Sequence, residues 1–182
     1  MIRSAQLLAV LVVLSIGVSA CARRPVTVET YERGGLRFSH FSNWRIDQDK
    51  ANQGAAGARI LQLQGPGHAL VRIIVVPALS AVTAESFAAS VSQGRTSAPA
   101  TARFAGREVR GVRQTFDLVL LGQHLPHEAT FYMLQTDTHK LVIMSQVARE
   151  SLEATRPALQ KVYDTLSLDG QIAPTAPAAS GS

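Results

Sequence analysis

Residues 69–77, ALVRIIVVP, form the most β-branched stretch of the chain and decide its fold class. The stretch is almost continuously apolar, which is typical of a strand buried on both faces in the middle of a sheet. Pro77 ends it, because proline has no backbone N–H to donate to a neighbouring strand. We therefore predict a central strand here and place the other elements around it.

Alternating apolar and polar residues predict three shorter strands before this one. They cover residues 36–39, 45–47 and 59–64, with a loop at 52–57 (NQGAAG) and a turn at 65–68 (GPGH). Leu36 and Phe38 should point inward from the first strand, and Leu61 and Leu63 should share one face of the third.

A first helix is expected after the central strand. Thr83 has the position of an N-cap, and Gly94 would end the helix. Its buried stripe should consist of Phe87, Ala88 and Val91, which follow helical spacing.

A second helix is expected near the end of the chain, over residues 156–165. Pro157 suits its first turn, where the missing N–H is not needed. The apolar residues at helical spacing are Leu159, Val162, Tyr163 and Leu166.

The chain between the helices should form two hairpins. We expect a loop at 97–101, a first hairpin from 102–104 and 107–118, and a second hairpin from 127–136 and 140–148. Val109 and Val112 cannot share a face in a regular strand, which predicts a β-bulge at Gly111. The apolar strand at 140–148 should be central.

The first residues have the layout of a secretory signal. Arg3 is followed by an apolar run at residues 7–18 and by Val18-Ser19-Ala20-Cys21. This resembles the lipobox of bacterial lipoproteins, whose cysteine is acylated on sulfur and nitrogen after cleavage. Cys21 is the only cysteine, which fits an anchor better than a disulfide. An uncleaved transmembrane helix is the alternative, but the run is shorter than the roughly 20 residues that span a bilayer.

The resemblance also implies a location. Ala22 stands where Asp would retain a lipoprotein at the inner membrane, so we expect an outer-membrane anchor with the domain facing the periplasm. The net charge of +5 and the pI near 10.0 favour anionic neighbours such as phospholipid head groups, lipopolysaccharide, cell-wall polymers or an acidic envelope protein. Nucleic acid is not expected, because the basic residues are not interleaved with aromatic residues.

The order of elements resembles the PsbP-like fold, which the photosystem II extrinsic protein shares with bacterial DcrB-like lipoproteins. The matching features are Phe38-x-x-Phe41-x-x-Trp44, the strand ending in Pro77, Phe87 in the first helix, the turn at Gly106 and the closing Leu166-Ser167-Leu168. Ser42-Asn43 replaces the usual Pro-Gly before the tryptophan. The resemblance implies an α+β protein, an α/β/α sandwich around a mostly antiparallel sheet with two main helices. Members of this fold mostly act as accessory or partner-binding proteins.

The chain is therefore divided into four parts. They are a signal peptide (1–20), a lipidated N-terminus and tether (21–34), a PsbP-like globular domain (35–168) and a disordered tail (169–182).

Arginines provide the main candidate for a binding surface. Arg103, Arg107, Arg110 and Arg113, with Arg95 before them, form a basic band that contains one acid, Glu108. Arginine suits phosphate and carboxylate groups through its planar fork of donors. A solvated strand face is the simpler interpretation, because strand parity does not place all five on one side.

Other candidates for chemistry are weaker. His124, His127 and Glu128 could hold zinc, but Pro126 argues against the helix that zinc motifs use, and a polar turn opening a strand is favoured. Trp44 and Phe41 could stack a ligand, although core packing is favoured. The chain has no G-x-S-x-G elbow, P-loop or G-x-G-x-x-G, so we expect no catalytic residues, no metal and no cofactor. A lipoprotein that binds a small ligand or an anionic polymer is the alternative to an accessory protein, and a hydrolase is less favoured still.

Overall fold

The computed structural model describes residues 25–51, 58–91, 96–120 and 122–171. Within these residues the elements follow in the order β1 (Val28–Arg33), β2 (Leu36–Phe41), β3 (Arg45–Ala51), β4 (Arg59–Gln64), β5 (Leu70–Pro77), α1 (Ala84–Val91), β6 (Ser97–Phe104), β7 (Arg107–Leu120), β8 (Gln123–Gln135), β9 (His139–Ala148), α2 (Leu152–Thr165) and β10 (Ser167–Leu168). Short 3₁₀ turns lie at Pro66–His68 and Arg149–Ser151.

The strands form two antiparallel sheets. The large sheet has seven strands in the order β3-β4-β5-β9-β8-β7-β6, and the small sheet has three in the order β1-β2-β10. Neighbouring strands in both sheets pair antiparallel throughout. The predicted α+β class with a mostly antiparallel sheet and two helices is confirmed.

The two helices lie on opposite faces of the large sheet. On one face, which we call the α2 face, Val162 and Tyr163 of α2 pack in one core with the large sheet and with Phe38 of the small sheet. On the other, the α1 face, Ala84 and Ala88 of α1 pack in a separate core. Because alternate residues of β8 enter the two cores, both faces of the sheet centre are covered, as in the predicted α/β/α sandwich.

The strand that decides the fold is central but not buried equally on its two faces. Val71 and Ile73 of β5 are fully buried on the α2 face, whereas Leu70 and Ile74 are only partly buried. The prediction of burial on both faces was therefore wrong in part. Its reason is that α1 packs on β7 and β8, away from β5.

Several other strand predictions are confirmed. β4 has the predicted bounds, and Leu36, Phe38, Leu61 and Leu63 are fully buried. β9 lies in the middle of the large sheet. The predicted loop at 52–57 lies outside the described residues.

The predicted tether contains a strand. β1 (Val28–Arg33) pairs with β2 along its whole length, and Tyr31 stacks on Phe38 with ring centroids 5.0 Å apart. The strand lacks apolar alternation because it is an edge strand whose residues are exposed except for Tyr31. The globular part of the chain thus begins before residue 35. It also continues past 168, since Leu168 bridges to Gln171.

A strand also replaces the predicted loop at 97–101. β6 (Ser97–Phe104) is the last strand of the large sheet, and Pro99 pairs with Val112. Proline interrupts an inner strand because it lacks a donor, but an edge strand tolerates it. The hairpin turn at Ala105 and Gly106 is confirmed, and both residues have positive φ.

The predicted bulge at Gly111 is absent, because the pairing of β7 with β6 and with β8 is continuous. Val109 and Val112 are each buried, in the cores on opposite faces of the sheet. Their spacing reflects a strand covered on both sides. Glycine is needed at 111 for another reason: a Cβ there would lie 2.2 Å from the carbonyl oxygen of Phe131 and 2.5 Å from the ring of Tyr132.

The helices differ from prediction in detail. The Thr83 side chain accepts a hydrogen bond from the Ser86 N–H at 3.0 Å, which confirms the N-cap. Val91 is 42% exposed, however, and Ala84 takes its place in the buried stripe. α2 begins at Leu152, so Pro157 lies inside the helix and not in its first turn. Gly94 lies outside the described residues.

Candidate functional site

The basic band is divided between the two faces of the large sheet. On β6 and β7, Arg103 pairs with Glu108 and Arg110 has the same parity as Val112, which places Arg103 and Arg110 on the α1 face. Arg107 and Arg113 alternate with them and share the parity of Val109, on the α2 face. The band is thus a basic edge of the sheet, not one flat surface. Arg95 lies outside the described residues.

The arginines of this edge are mostly unpaired. Arg113 Nε lies 4.0 Å from Glu128 Oε2, a long contact with half of the Arg113 side chain exposed. Among the described residues, no salt bridge includes Arg103, Arg107 or Arg110. Their guanidinium groups are available to an anionic partner.

The two histidines of the candidate zinc cluster lie apart. Both belong to β8, which begins at Gln123, so the predicted polar turn is part of the strand. Residues three apart point to opposite faces. His124 is exposed and lies 3.6 Å from Asp117, whereas His127 is 1% exposed and donates from Nδ1 to the Leu125 carbonyl at 2.8 Å. In the described part of the chain no three metal-binding side chains come together.

Trp44 is a core residue, as favoured by the sequence analysis. It is 4% exposed and packs so tightly on Gly65 that a Cβ there would lie 2.4 Å from the indole ring. Phe41 is partly buried beside it. Both aromatic rings line a cleft of about 260 Å³ against Pro157 of α2.

A more polar cavity of about 420 Å³ lies between α2 and the large sheet. Four residues with hydroxyl groups line it, Thr130, Tyr132, Ser145 and Tyr163, and we call it the hydroxyl pocket. Arg113, Glu128, Arg156 and Gln160 also line it. Helical spacing places the α2 residues of this lining on one stripe, and alternation places Glu128, Thr130 and Tyr132 on one side of β8.

The hydroxyl groups of the pocket are closely spaced and not all satisfied. Thr130 and Ser145 are opposite each other on β8 and β9, and their oxygens lie 2.6 Å apart. Tyr163 is 5% exposed, yet its hydroxyl has no hydrogen-bond partner among the described residues. Burial raises the pKa of Tyr163 to about 12, and the neighbouring hydroxyl groups of Ser145 and Thr130 oppose this rise. Burial also raises the pKa of Tyr132.

A second polar cluster joins the small sheet to the large one. Tyr31 of β1 donates to Asp49 of β3 at 2.6 Å, and Arg59 of β4 donates to the same carboxylate at 2.8 and 3.1 Å and to the Tyr31 hydroxyl. The hydrogen bonds from Arg59 are the main cause that lowers the pKa of Asp49. Burial and the bond to Asp49 raise the pKa of Tyr31 to about 12. We call these three residues the Asp49 cluster, and its bonds fasten the edge strand.

Sequence reasoning missed both clusters. One signal for the hydroxyl pocket was present: Ser145 shares a strand face with Leu141 and Ile143, a position that usually carries an apolar residue. A buried serine in such a row needs a partner, and Thr130 on the adjacent strand is that partner. The predicted hairpin of 127–136 and 140–148 makes these two strands partners, but the register that places Thr130 opposite Ser145 is known only from the structure.

The chain was also compared with known proteins. No family model and no curated protein matches its sequence. Solved structures with a similar arrangement include the cyanobacterial PsbP (CyanoP) of Synechocystis sp. PCC 6803, at 11% identity and a TM-score of 0.47, covering 83% of this chain and 98% of that one. A Bacteroides thetaiotaomicron protein has 10% identity and a TM-score of 0.49, covering 77% of this chain and 48% of that protein.

A third similar structure is LpqN of Mycobacterium tuberculosis, a protein involved in cell envelope biogenesis. It has 8% identity and a TM-score of 0.39, covering 78% of this chain and 91% of that one. A PsbP structure is thus among those that this chain is similar to. These likenesses concern the fold alone, and membership of the DcrB-like lipoproteins stays a prediction.

Proposed function

We propose that this chain is a lipid-anchored accessory protein of the bacterial cell envelope, of the DcrB-like kind, with a non-enzymatic domain that binds an envelope component. The proposal rests first on the order of Arg3, the apolar run at 7–18 and Cys21. An acylated Cys21 would hold the protein at the membrane, and Ala22 favours the outer membrane with the domain in the periplasm. Several acyl chains on one cysteine make such an attachment stable.

The observation that carries the proposal is how close the folded domain begins to Cys21. Thr27 is already fixed, since its carbonyl accepts a hydrogen bond from the Ser42 N–H at 2.8 Å and its N–H donates to the Ser42 hydroxyl at 3.0 Å. Only residues 22–26 separate this point from the cysteine. Fully extended, they span about 20 Å, so the anchor would hold the domain near the membrane surface.

A domain held there would meet anionic head groups, polymers and acidic proteins. The basic edge formed by Arg103, Arg107, Arg110 and Arg113 has the chemistry to bind them, because guanidinium groups match phosphate and carboxylate. An envelope protein or an anionic polymer is therefore the partner that we propose. The alternative, a small-ligand-binding lipoprotein, is favoured by the hydroxyl pocket.

The anchor is tested by the variant Cys21→Ser in cells fed a labelled fatty acid. We expect the native chain to incorporate the label and to fractionate with membranes. The variant should incorporate none and should appear as an uncleaved or soluble species. Label in Cys21→Ser at the native level would contradict the anchor assignment.

Ala20→Gly serves as the matched control, because it keeps a small residue before the cysteine. It should be labelled like the native chain. If the control also loses the label, loss of label in Cys21→Ser does not show that Cys21 is the acylated residue. The predicted cleavage before Cys21 would then be contradicted, because a small residue at position 20 should preserve it.

A further inference from the structure

The hydroxyl pocket is not part of the membrane anchor, and Arg113 is the one residue that it shares with the basic edge. It lies between α2 and the α2 face of the large sheet, in a place where the rest of that face is an apolar core. Polar groups buried in such a core cost free energy unless they are hydrogen-bonded. Their presence at this position is the observation to explain.

The Tyr163 hydroxyl is the least satisfied of these groups. This hydroxyl is buried and has no hydrogen-bond partner within the described residues, and Tyr163 lines the cavity together with Thr130 and Ser145. The neighbouring Tyr132 hydroxyl makes a long contact of 3.5 Å with the Thr101 carbonyl and lies near the Thr130 hydroxyl. A phenylalanine would pack as well as Tyr163 without an orphaned donor. A ligand that accepts from the Tyr163 hydroxyl would satisfy it.

The other lining groups make the pocket rich in donors. Arg113 makes only the long contact with Glu128, and Arg156 makes one hydrogen bond, to Glu153 at 2.7 Å with both side chains largely exposed. Each guanidinium has five N–H donors, so both keep donors to spare. Exposed ion pairs of this kind are weak and exchange readily. Glu128 is the one acid in the lining and lies near Arg113, so the two arginines exceed the acids by one positive charge.

We propose that the hydroxyl pocket binds a small hydroxylated oxyanion, whose charged end contacts Arg113 and Arg156 and whose hydroxyl groups bond with Thr130, Ser145 and Tyr163. Hydroxyl side chains both donate and accept, and so match a hydroxylated ligand. Guanidinium forks bind carboxylate and phosphate alike. A volume of about 420 Å³ is within the range of small-molecule sites. The proposal does not depend on the lipid anchor.

The test is isothermal titration calorimetry on the full chain in detergent, with three six-carbon probes. Gluconate has both the carboxylate and the hydroxyls, hexanoate has only the carboxylate, and sorbitol has only the hydroxyls. We expect gluconate to bind with a dissociation constant below about 1 mM and the other two to bind at least tenfold more weakly. Glycerol 3-phosphate is the fourth probe, and whichever oxyanion binds more tightly identifies the charged group.

Two variants locate the site. Tyr163→Phe should weaken gluconate binding at least fivefold while the melting temperature stays the same or rises, because it removes an orphaned hydroxyl. Arg156→Gln, at a largely exposed position that cannot disturb the core, should weaken it to a similar degree. Arg37→Gln is the control: Arg37 is largely exposed, pairs with Glu32 as Arg156 pairs with Glu153, and does not line the cavity, so this variant should bind like the native chain.

The proposal is overturned if neither gluconate nor glycerol 3-phosphate produces a binding heat. It is also overturned if Tyr163→Phe and Arg156→Gln bind as the native chain does, or if sorbitol and hexanoate bind as well as gluconate. The pocket would then be a solvent-filled groove.

Discussion

At the scale of single residues, the Asp49 cluster explains how an edge strand with little apolar surface stays in place. Its carboxylate is 12% exposed and accepts from Tyr31 and Arg59, which belong to strands of different sheets. Charge-assisted bonds of this kind contribute more than neutral ones, about 1.5 to 3 kcal/mol each. β1 is therefore held by its pairing with β2 and by this cluster, not by a buried face.

The cluster predicts an acid-dependent loss of stability. The folded-state pKa of Asp49 is lowered from 3.8, so its contribution is complete above that value and is lost as the pH falls through the folded-state pKa. Asp49→Asn should reduce the free energy of unfolding by about 2 kcal/mol at pH 7. Below pH 4 the free energies of unfolding of the variant and the native chain should become more alike. Urea unfolding between pH 3 and pH 7 measures this.

Asp47→Asn is the control, because Asp47 is exposed on the same strand and bonds only to the Gln62 side chain. It should change stability by less than about 0.5 kcal/mol. An equal loss of stability in both variants, or a difference between the native chain and Asp49→Asn that does not depend on pH, would contradict the role given to the cluster.

Tyr31 makes stability depend on pH in the alkaline range. Its pKa is raised from 10.0 to about 12, so its contribution to the free energy of unfolding is lost as the pH rises through that interval.

Residue-level signals could be read from sequence where their cause is local. The Thr83 cap was predictable because the bond it makes joins residues three apart. The burial of Leu61 and Leu63 was predictable from alternation. The Asp49 cluster was not predictable, because Tyr31 belongs to a different sheet from Asp49 and Arg59. The pairing of Thr130 with Ser145 was not predictable either, because it depends on the exact register of the predicted hairpin.

At the scale of elements, the errors of the sequence analysis occur at edges and at surfaces covered from both sides. The sequence predicts a tether in place of β1 and a loop in place of residues 97–101 of β6, because edge strands need no apolar face and tolerate Pro99. The sequence predicts a bulge at Gly111, because a strand that is buried on both faces has apolar residues at both odd and even positions. The inner strands β4, β5 and β9 were placed correctly because burial dominates their composition.

Gly111 provides a test at this scale. Gly111→Ala would place a methyl group against the Phe131 carbonyl and the Tyr132 ring, so β7 and β8 would have to separate locally. We expect a loss of about 2 kcal/mol in the free energy of unfolding, measured by urea denaturation. Thr115→Ala, at an exposed position on the same strand, is the control and should change little. If Gly111→Ala were as stable as the native chain, the claim that the Tyr132 ring leaves no room for a Cβ at position 111 would be wrong.

The basic edge also acts as an element, since its arginines belong to one hairpin. Because β6 and β7 present Arg103 and Arg110 on the α1 face and Arg107 and Arg113 on the α2 face, a flat partner cannot contact all four at once. The band that the sequence suggested is better described as two pairs. A partner that binds the edge would depend on one pair more than on the other.

At the scale of the whole molecule, the large sheet separates two different environments. The α1 face holds a small core with Phe131 and Met144, whereas the α2 face holds the larger core, the small sheet and the hydroxyl pocket. No helix among the described residues is long and apolar enough to cross a membrane. The resemblance to the PsbP-like fold implied the α/β/α arrangement, but the place of the small sheet could not be predicted, because its three strands come from both ends of the domain.

The measurement that tests the central proposal most directly is crosslinking in intact cells, comparing the native chain with Cys21→Ser and with the charge reversals Arg103→Glu/Arg110→Glu and Arg107→Glu/Arg113→Glu. We predict a discrete envelope partner that is crosslinked to the native chain, is lost without the anchor, and is weakened by one of the two reversals more than by the other. If the same product formed with Cys21→Ser and with both reversals, neither the anchor nor the basic edge would take part in binding, and the account of an anchored accessory protein would be contradicted.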